Sequence, residues 1–207
     1  MTIELTSGPT AVPVPSGRID QRRVADLYRQ LLTELGEDPD RNGLKDTPQR
    51  VARWWAEFLE HDPGRTDTTF EHDAIRADGD ELVIVSGIVV HSLCEHHLQG
   101  MELTVTAGYR PHGRVLGLSK IARIAQSHGH RLQLQERIMN GIAEDLMKTS
   151  GSPDVAVAAT GTHSCMSARG VRATGAATTT TSTHGAFAPG GTLGSLFLDL
   201  AVKGAAR

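Results

Sequence analysis

Apolar and polar positions divide the chain into a helical stretch, a strand-rich middle and a mixed C-terminal part. After Asp20, the residues Val24, Leu27, Tyr28, Leu31, Leu32 and Leu35 recur at the period of an amphipathic helix, which Gly36 is placed to stop. Thr47-Pro48 reads as an N-cap with proline at the first helical position. The helix it opens carries Val51, Trp54, Trp55, Phe58 and Leu59 and stops before Pro63. Both tryptophans read as core or interface residues. From Leu82 to Val90 the chain is β-branched and apolar, a strand leading into the stretch around Cys94. Met101, Leu103, Val105, Ala107 and Tyr109 alternate with Glu102, Thr104, Thr106 and Gly108, which predicts a half-buried strand. Pro111-His112-Gly113 turns the chain and Arg114 to Leu118 returns it. Ser119 is expected to cap a helix with Ile121, Ile124 and Ala125 on one face. After a break at Gly129, Leu134, Ile138, Ile142 and Leu146 predict a second helix, ended by Gly151 to Pro153. Val155 to Thr162 predicts a strand running into Cys165. Val171 to Thr183 reads as a Thr-rich strand weakened at Gly175, and Leu193 to Val202 as a last short helix.

The order of helices, two strands, two helices and two strands predicts an α+β fold, an antiparallel sheet backed by helices on one face. Residues 1–18, with three prolines, read as a mobile tail. Residues 19–70 read as an N-terminal helical region and 71–207 as the catalytic domain. A polar, Asp-rich stretch over 61–80 serves as the hinge.

Composition narrows the function. The 207 residues carry a net charge of −3, so no global basic field exists for nucleic acid. No apolar run reaches the roughly 18 residues of a membrane span. The first residues lack the basic and apolar regions of a secretory signal, and there are two cysteines; together these point to a reducing cytoplasm. Aromatic residues make up only 4%, which favours burial between subunits.

Those two cysteines both lie within two residues of a histidine, in His91-Ser92-Leu93-Cys94-Glu95-His96-His97 and in Thr162-His163-Ser164-Cys165. Thiolate and imidazole suit Zn²⁺ better than Mg²⁺ or Ca²⁺. Cys94, Cys165 and one of His96 or His97 would leave a fourth position open for water, the catalytic arrangement. A disulfide or two unrelated buried thiols are the alternatives. A histidine not used as ligand is placed to carry protons. Lys120 and Arg123 lie three apart on one helix face near its N-terminal end, a candidate phosphate clamp, and Arg169 and Arg172 follow Cys165. Gln135-Glu136-Arg137 is unremarkable by pattern. There is no H-E-x-x-H and no H-x-E paired with P-C-x-x-C, which disfavours zincin proteases and nucleobase deaminases.

The strings SLCEHHL, GLSKIARI, RLQLQERI, HSCMSARGV and ATTTTST, with GLKDTPQRV upstream, resemble the GTP cyclohydrolase I family in order and spacing from about residue 20 to residue 200. The resemblance implies a tunnelling fold (T-fold) whose sheets join between subunits, in a homodecamer of two pentameric rings with active sites at subunit interfaces. It implies hydrolytic opening of the guanine imidazole ring of GTP, formate release and reclosure to 7,8-dihydroneopterin triphosphate, the first step of tetrahydrofolate and pterin biosynthesis. The family's zinc ligands fall on Cys94, His97 and Cys165, which makes His96 a proton-handling or supporting residue. Its acid/base histidine falls on His163 and its guanine-holding carboxylate on Glu136, beside Gln135. Triphosphate contacts fall on Lys120, Arg123 and Arg169, with Arg50 reaching in from a neighbouring subunit. Ser119 matches a residue of the later rearrangement. The sequence departs from the family pattern at Gln99-Gly100, at Leu103-Thr104 and at His128-Gly129-His130.

Overall fold

The computed structural model describes residues 17–71 and 81–205. Most of the expected tail, and residues 72–80 of the expected hinge, lie outside them. The chain divides into two compact units, with the boundary between Asp62 and Pro63.

The N-terminal unit is a pair of helices. Helix α1 spans Gln21–Glu34, and the Asp20 carboxylate accepts from the backbone N–H of Arg22 and Arg23, closing two of the donors that a helix start leaves open. Helix α2 spans Thr47–Leu59. Its cap is Asp46 rather than Thr47 and makes no side-chain cap bond; Pro48 sits in the first turn as expected. Small residues let the helices approach, since Ala25, Ala52 and Ala56 are buried, and Trp55 Nε1 donates to Tyr28 Oη at 2.7 Å. The leucine stripe that predicts α1 is not covered by this pair. Leu27, Leu31 and Leu35 remain 57%, 47% and 69% exposed.

The larger unit is built on a five-stranded sheet. Its strands are β2 (Val83–Cys94), β3 (Gly100–Tyr109), β5 (Leu132–Gln133), β6 (Val155–His163) and β7 (Thr178–Thr183), in the order β5-β2-β3-β6-β7. All pairings are antiparallel except β2 with β5, where Leu93 and Cys94 face Leu132 and Gln133. Two further strands, β1 (Thr69–Glu71) and β4 (Arg114–Leu116), form a separate ribbon. The return expected after Pro111 therefore pairs with β1, not with β3. Helix α3 spans Leu118–Gly129, α4 spans Gln135–Ser150, and a single helical turn α5 spans Ser164–Ser167. A 3-10 turn covers Gly185–Phe187, and the last helix, α6, covers Thr192–Ala205. The start of α3 is capped by Gly117 without a side-chain bond, so Ser119 lies inside the first turn instead of capping it.

Period-two patterning places Met101, Leu103, Val105, Ala107 and Tyr109 on the face that packs against Ile121, Ile124, Ile138, Ile142 and Leu146 of α3 and α4. The opposite face is not simply wet. Ala156 and Ala158 pack under Phe187, Phe197 and Ala201, so helices flank both faces at one end of the sheet. This explains why Thr106 and Gly108, read as polar-face positions, are buried. The Thr-rich strand is shorter than expected: it begins at Thr178, after a left-handed Arg172 and a turn between Arg172 and Thr174. No helix among the described residues is long and apolar enough to cross a membrane.

Candidate active site

Three chain segments meet where β2 ends, β3 begins and β6 ends. Cys94 is the last residue of β2 and is buried, its backbone N–H donating to Gln99 O at 2.9 Å. His97 follows in the turn closed by Leu98 N–H donating to Cys94 O at 2.8 Å, and its side chain is exposed. Cys165 sits in α5, not in a continuation of β6, so it does not share a strand face with His163. The turn nevertheless brings it to the others. The ligand atoms of Cys94, His97 and Cys165 lie within 4.8 Å of one another. Both thiols are free, which sets the disulfide alternative aside. Burial, then the neighbouring Cys94 thiol, pushes the Cys165 thiol up. Two facing thiols resist ionising together, and a divalent cation between them reverses that preference.

His163 closes β6 beside this cluster, and Met101 is its register partner on β3. Its Nε2 lies 2.7 Å from Gln135 Oε1. Gln135 is buried at the start of α4, and its Nε2 donates to Ala159 O at 3.3 Å and to Thr178 O at 3.0 Å. Two carbonyl acceptors fix the amide nitrogen, so the amide oxygen must face the imidazole. His163 Nε2 therefore carries the hydrogen, and Nδ1 keeps the lone pair. Burial holds the imidazole below its usual pKa, and the Glu136 charge pulls weakly the other way. Gln135 thus holds a histidine, whereas the neighbouring Glu136 is exposed in the same helical turn.

Other candidates are spread more widely. The His96 ring centroid lies 6.1 Å from that of His97, and the Arg169 charge is felt at Cys165. Ser119, Lys120 and Arg123 lie in the first half of α3. Gln135 at one end of α4 meets His163, while Arg114 of β4, just before α3, donates to Ser150 O at the other. Its sixteen residues make a helix about 24 Å long at 1.5 Å each. Arg123 Nη1 donates to Pro63 O at 3.0 Å. Arg50 belongs to the helical unit, where it pairs with Asp46 at 3.4 Å.

A family model described as GTP cyclohydrolase I matches residues 24–201. The chain belongs to the GTP cyclohydrolase I family. GTP cyclohydrolase 1 of Ruminiclostridium cellulolyticum is 47% identical over 178 residues, covering 82% of this chain and 91% of its own. That of Mycobacterium marinum is 43% identical over 190 residues, covering 89% and 92%. Among solved structures, the apo form of the archaeosine synthase QueF-Like overlaps 52% of this chain and 97% of its own at 18% identity, with a TM-score of 0.43.

For a member of the GTP cyclohydrolase I family, the donor set fits a metal. Tetrahedral zinc with bonds of about 2.0–2.3 Å sets its ligand atoms roughly 3.5–4 Å apart, a spacing that the 4.8 Å ceiling accommodates. Two residues of this site were not singled out from sequence. Arg137 Nη1 donates to Glu95 Oε2 at 2.7 Å and Nη2 to Glu95 Oε1 at 3.4 Å. The guanidinium holds the Glu95 carboxyl below the usual carboxylate range. The partners are 42 residues apart, so no local spacing announces them. The family departures also find a place. Leu103 is core, Gln99 acts through its carbonyl, and His128 Nε2 meets Asp145 Oδ2 at 2.8 Å between α3 and α4.

Proposed function

We propose that the protein is a zinc-dependent GTP cyclohydrolase, opening the guanine imidazole ring of GTP by hydrolysis, releasing formate and reclosing the product to 7,8-dihydroneopterin triphosphate. The observation that carries this reading is the convergence of Cys94, His97 and Cys165 beside the His163–Gln135 pair. Cys94, His97 and Cys165 would hold the ion, which supplies Lewis acidity for the hydrolytic step. His163 moves the proton: with Nε2 tied to Gln135, Nδ1 is the atom that gives a proton to the purine ring and takes one back. His96 assists that traffic. Glu136 accepts from the guanine ring N–H and exocyclic amine, and Arg169 brings positive charge to the phosphate side. Burial keeps the His163 pocket dry on the Gln135 side, so the proton is exchanged with the substrate side.

The phosphate clamp of Lys120 and Arg123, together with Ser119, acts from a neighbouring subunit in this reading, since α3 begins just after Arg114, which bonds the Ser150 end of α4, while Gln135 at the opposite end holds His163. Arg50 reaches the same phosphates in this reading. Free sheet edges support such an assembly. Edge strand β7 pairs only with β6, and β2 has a partner on its outer side only at Leu93 and Cys94, among the described residues. Joining these edges from subunit to subunit gives the T-fold barrel, and a decamer of two pentamers is the assembly proposed. The retained thiols suit the reducing cytoplasm.

Incubating the purified protein with GTP and zinc tests the reading. Formate together with pterin fluorescence is the expected result. Formate without pterin would indicate an enzyme that stops at a ring-opened product, and GTP binding without formate a non-catalytic purine-binding protein.

A further inference from the structure

The backbone holds the turn that presents His97 chiefly at its base and first residue. Cys94 N–H to Gln99 O at 2.9 Å closes its base and Glu95 N–H to Gln133 O at 3.1 Å ties its first residue to β5, but within it the backbone bonds are only Leu98 N–H to Cys94 O at 2.8 Å and a long His97 N–H to Cys94 O at 3.3 Å. Leu98 takes φ 52°, a left-handed conformation that is unfavourable for a residue with a Cβ. Leu98 is also 52% exposed, so burial of its side chain does not offset that cost. Cys94, by contrast, is fixed by the sheet, and Cys165 by its helical turn. Of the three ligands, His97 is the one whose position depends on the turn.

We propose that Glu95 and Arg137 are positioning residues for the metal: their ion pair anchors the Glu95–Leu98 turn to α4 and so sets His97 against Cys94 and Cys165. This rests on the reading of those three residues as the metal ligands. The fork of Arg137 grips both carboxylate oxygens of Glu95, at 2.7 and 3.4 Å, and Nη1 also reaches Gln133 Oε1 at 3.3 Å. Gln133 in turn accepts from Glu95 N–H through its backbone carbonyl at 3.1 Å and donates to His128 O at 3.2 Å. One guanidinium thus ties the metal turn, β5 and α4 into a single body. The pair is 24% and 31% exposed, sheltered enough that a two-pronged, charge-assisted contact persists where a surface pair would fluctuate. The first turn of α4 then sets two parts of the site at once, since Gln135 holds His163 and Arg137 holds the turn of His97.

A simple field effect makes a different forecast. Removing the Glu95 charge would weaken binding of a cation, and removing the Arg137 charge would strengthen it. Positioning weakens binding in both cases. The experiment titrates the full-length wild-type protein, Glu95→Ala, Arg137→Ala and the double variant with Co²⁺, read by its thiolate charge-transfer and d–d bands, and with Zn²⁺ in competition with a chromophoric chelator. Each single variant should lose about 10–100-fold in affinity, the usual effect of a group that orients a ligand, and the double variant no more than the worse single one. Should an alanine variant not fold, Glu95→Gln keeps the shape and loses the charge, and it should still bind severalfold more weakly. Arg137→Ala binding either ion as tightly as wild type, or losses that multiply in the double variant, would overturn the proposal. A wild type that binds neither ion would instead overturn the metal reading beneath it.

Discussion

A site shared between subunits predicts that two inactive proteins restore each other. In the structure α4 runs from Gln135, which holds His163, to Ser150, bonded to Arg114 shortly before the start of α3. Lys120 and Arg123 sit in α3, which begins just after Arg114, toward the Ser150 end of that helix. Each lost charge-assisted phosphate contact costs about 1.5–3 kcal/mol, or roughly 10–150-fold in binding, so Lys120→Ala/Arg123→Ala should be nearly inactive at modest GTP. Cys165→Ser should be inactive through loss of metal. Co-expression of the two with different tags, followed by tandem purification, yields mixed assemblies. A site that takes its metal set from one chain and its clamp from another has both intact in one of four pairings. Activity should therefore recover to roughly a quarter of wild type, measured as formate or pterin per subunit. If the clamp acted within its own chain, every site would carry one defect. A mixed preparation no more active than its parents would refute the reasoning.

Cys94→Ser and Cys165→Ser should each lose zinc and turnover together, because a hydroxyl replaces a thiolate in a three-ligand site; undiminished zinc by metal analysis would remove that residue from the ligand set. His163→Ala should keep zinc and GTP affinity and lose about 10²–10⁴-fold in turnover, whereas near wild-type turnover would shift the proton to His96. In metal-stripped protein the His163 ring resonances should titrate below the ordinary imidazole value of 6.5. Because its folded pKa is depressed, its stabilising contribution is complete above the unfolded value and is lost as pH falls through the folded one. Urea midpoints followed against pH should show that slope in wild type and lack it in His163→Gln. Gly141→Ala sets a methyl against the His128 ring, so the usual helical gain from alanine should give way to a loss of about 1–3 kcal/mol in thermal unfolding, and His128→Ala in that background should recover stability.

What was legible in the sequence follows from what is local. The two long strands and the helices α3 and α4 announce themselves by period, because each buries a face against a partner that the same period describes. Strand β5 has two residues and β1 three, too few to carry a period, yet β5 aligns Leu132 and Gln133 with the end of β2. The burial of Thr106 and Gly108 could not be read from β3 alone, since it is imposed by α6 nearly a hundred residues later. The same distinction governs the site. Both thiols were visible because histidines stand beside them in sequence, and the ligand cluster required only that two strand ends meet. Sequence neighbourhood says less about Lys120 and Arg123: α3, which carries them, starts just after Arg114, whose guanidinium bonds the end of α4 opposite Gln135. Glu95 and Arg137 escaped it. They are ordinary surface types at their own positions and acquire meaning only when β5 lays the start of α4 alongside the metal turn. A reading by spacing finds the atoms that touch a metal or substrate sooner than those that hold them still, because ligands must cluster locally while their supports come from whatever element the fold brings near.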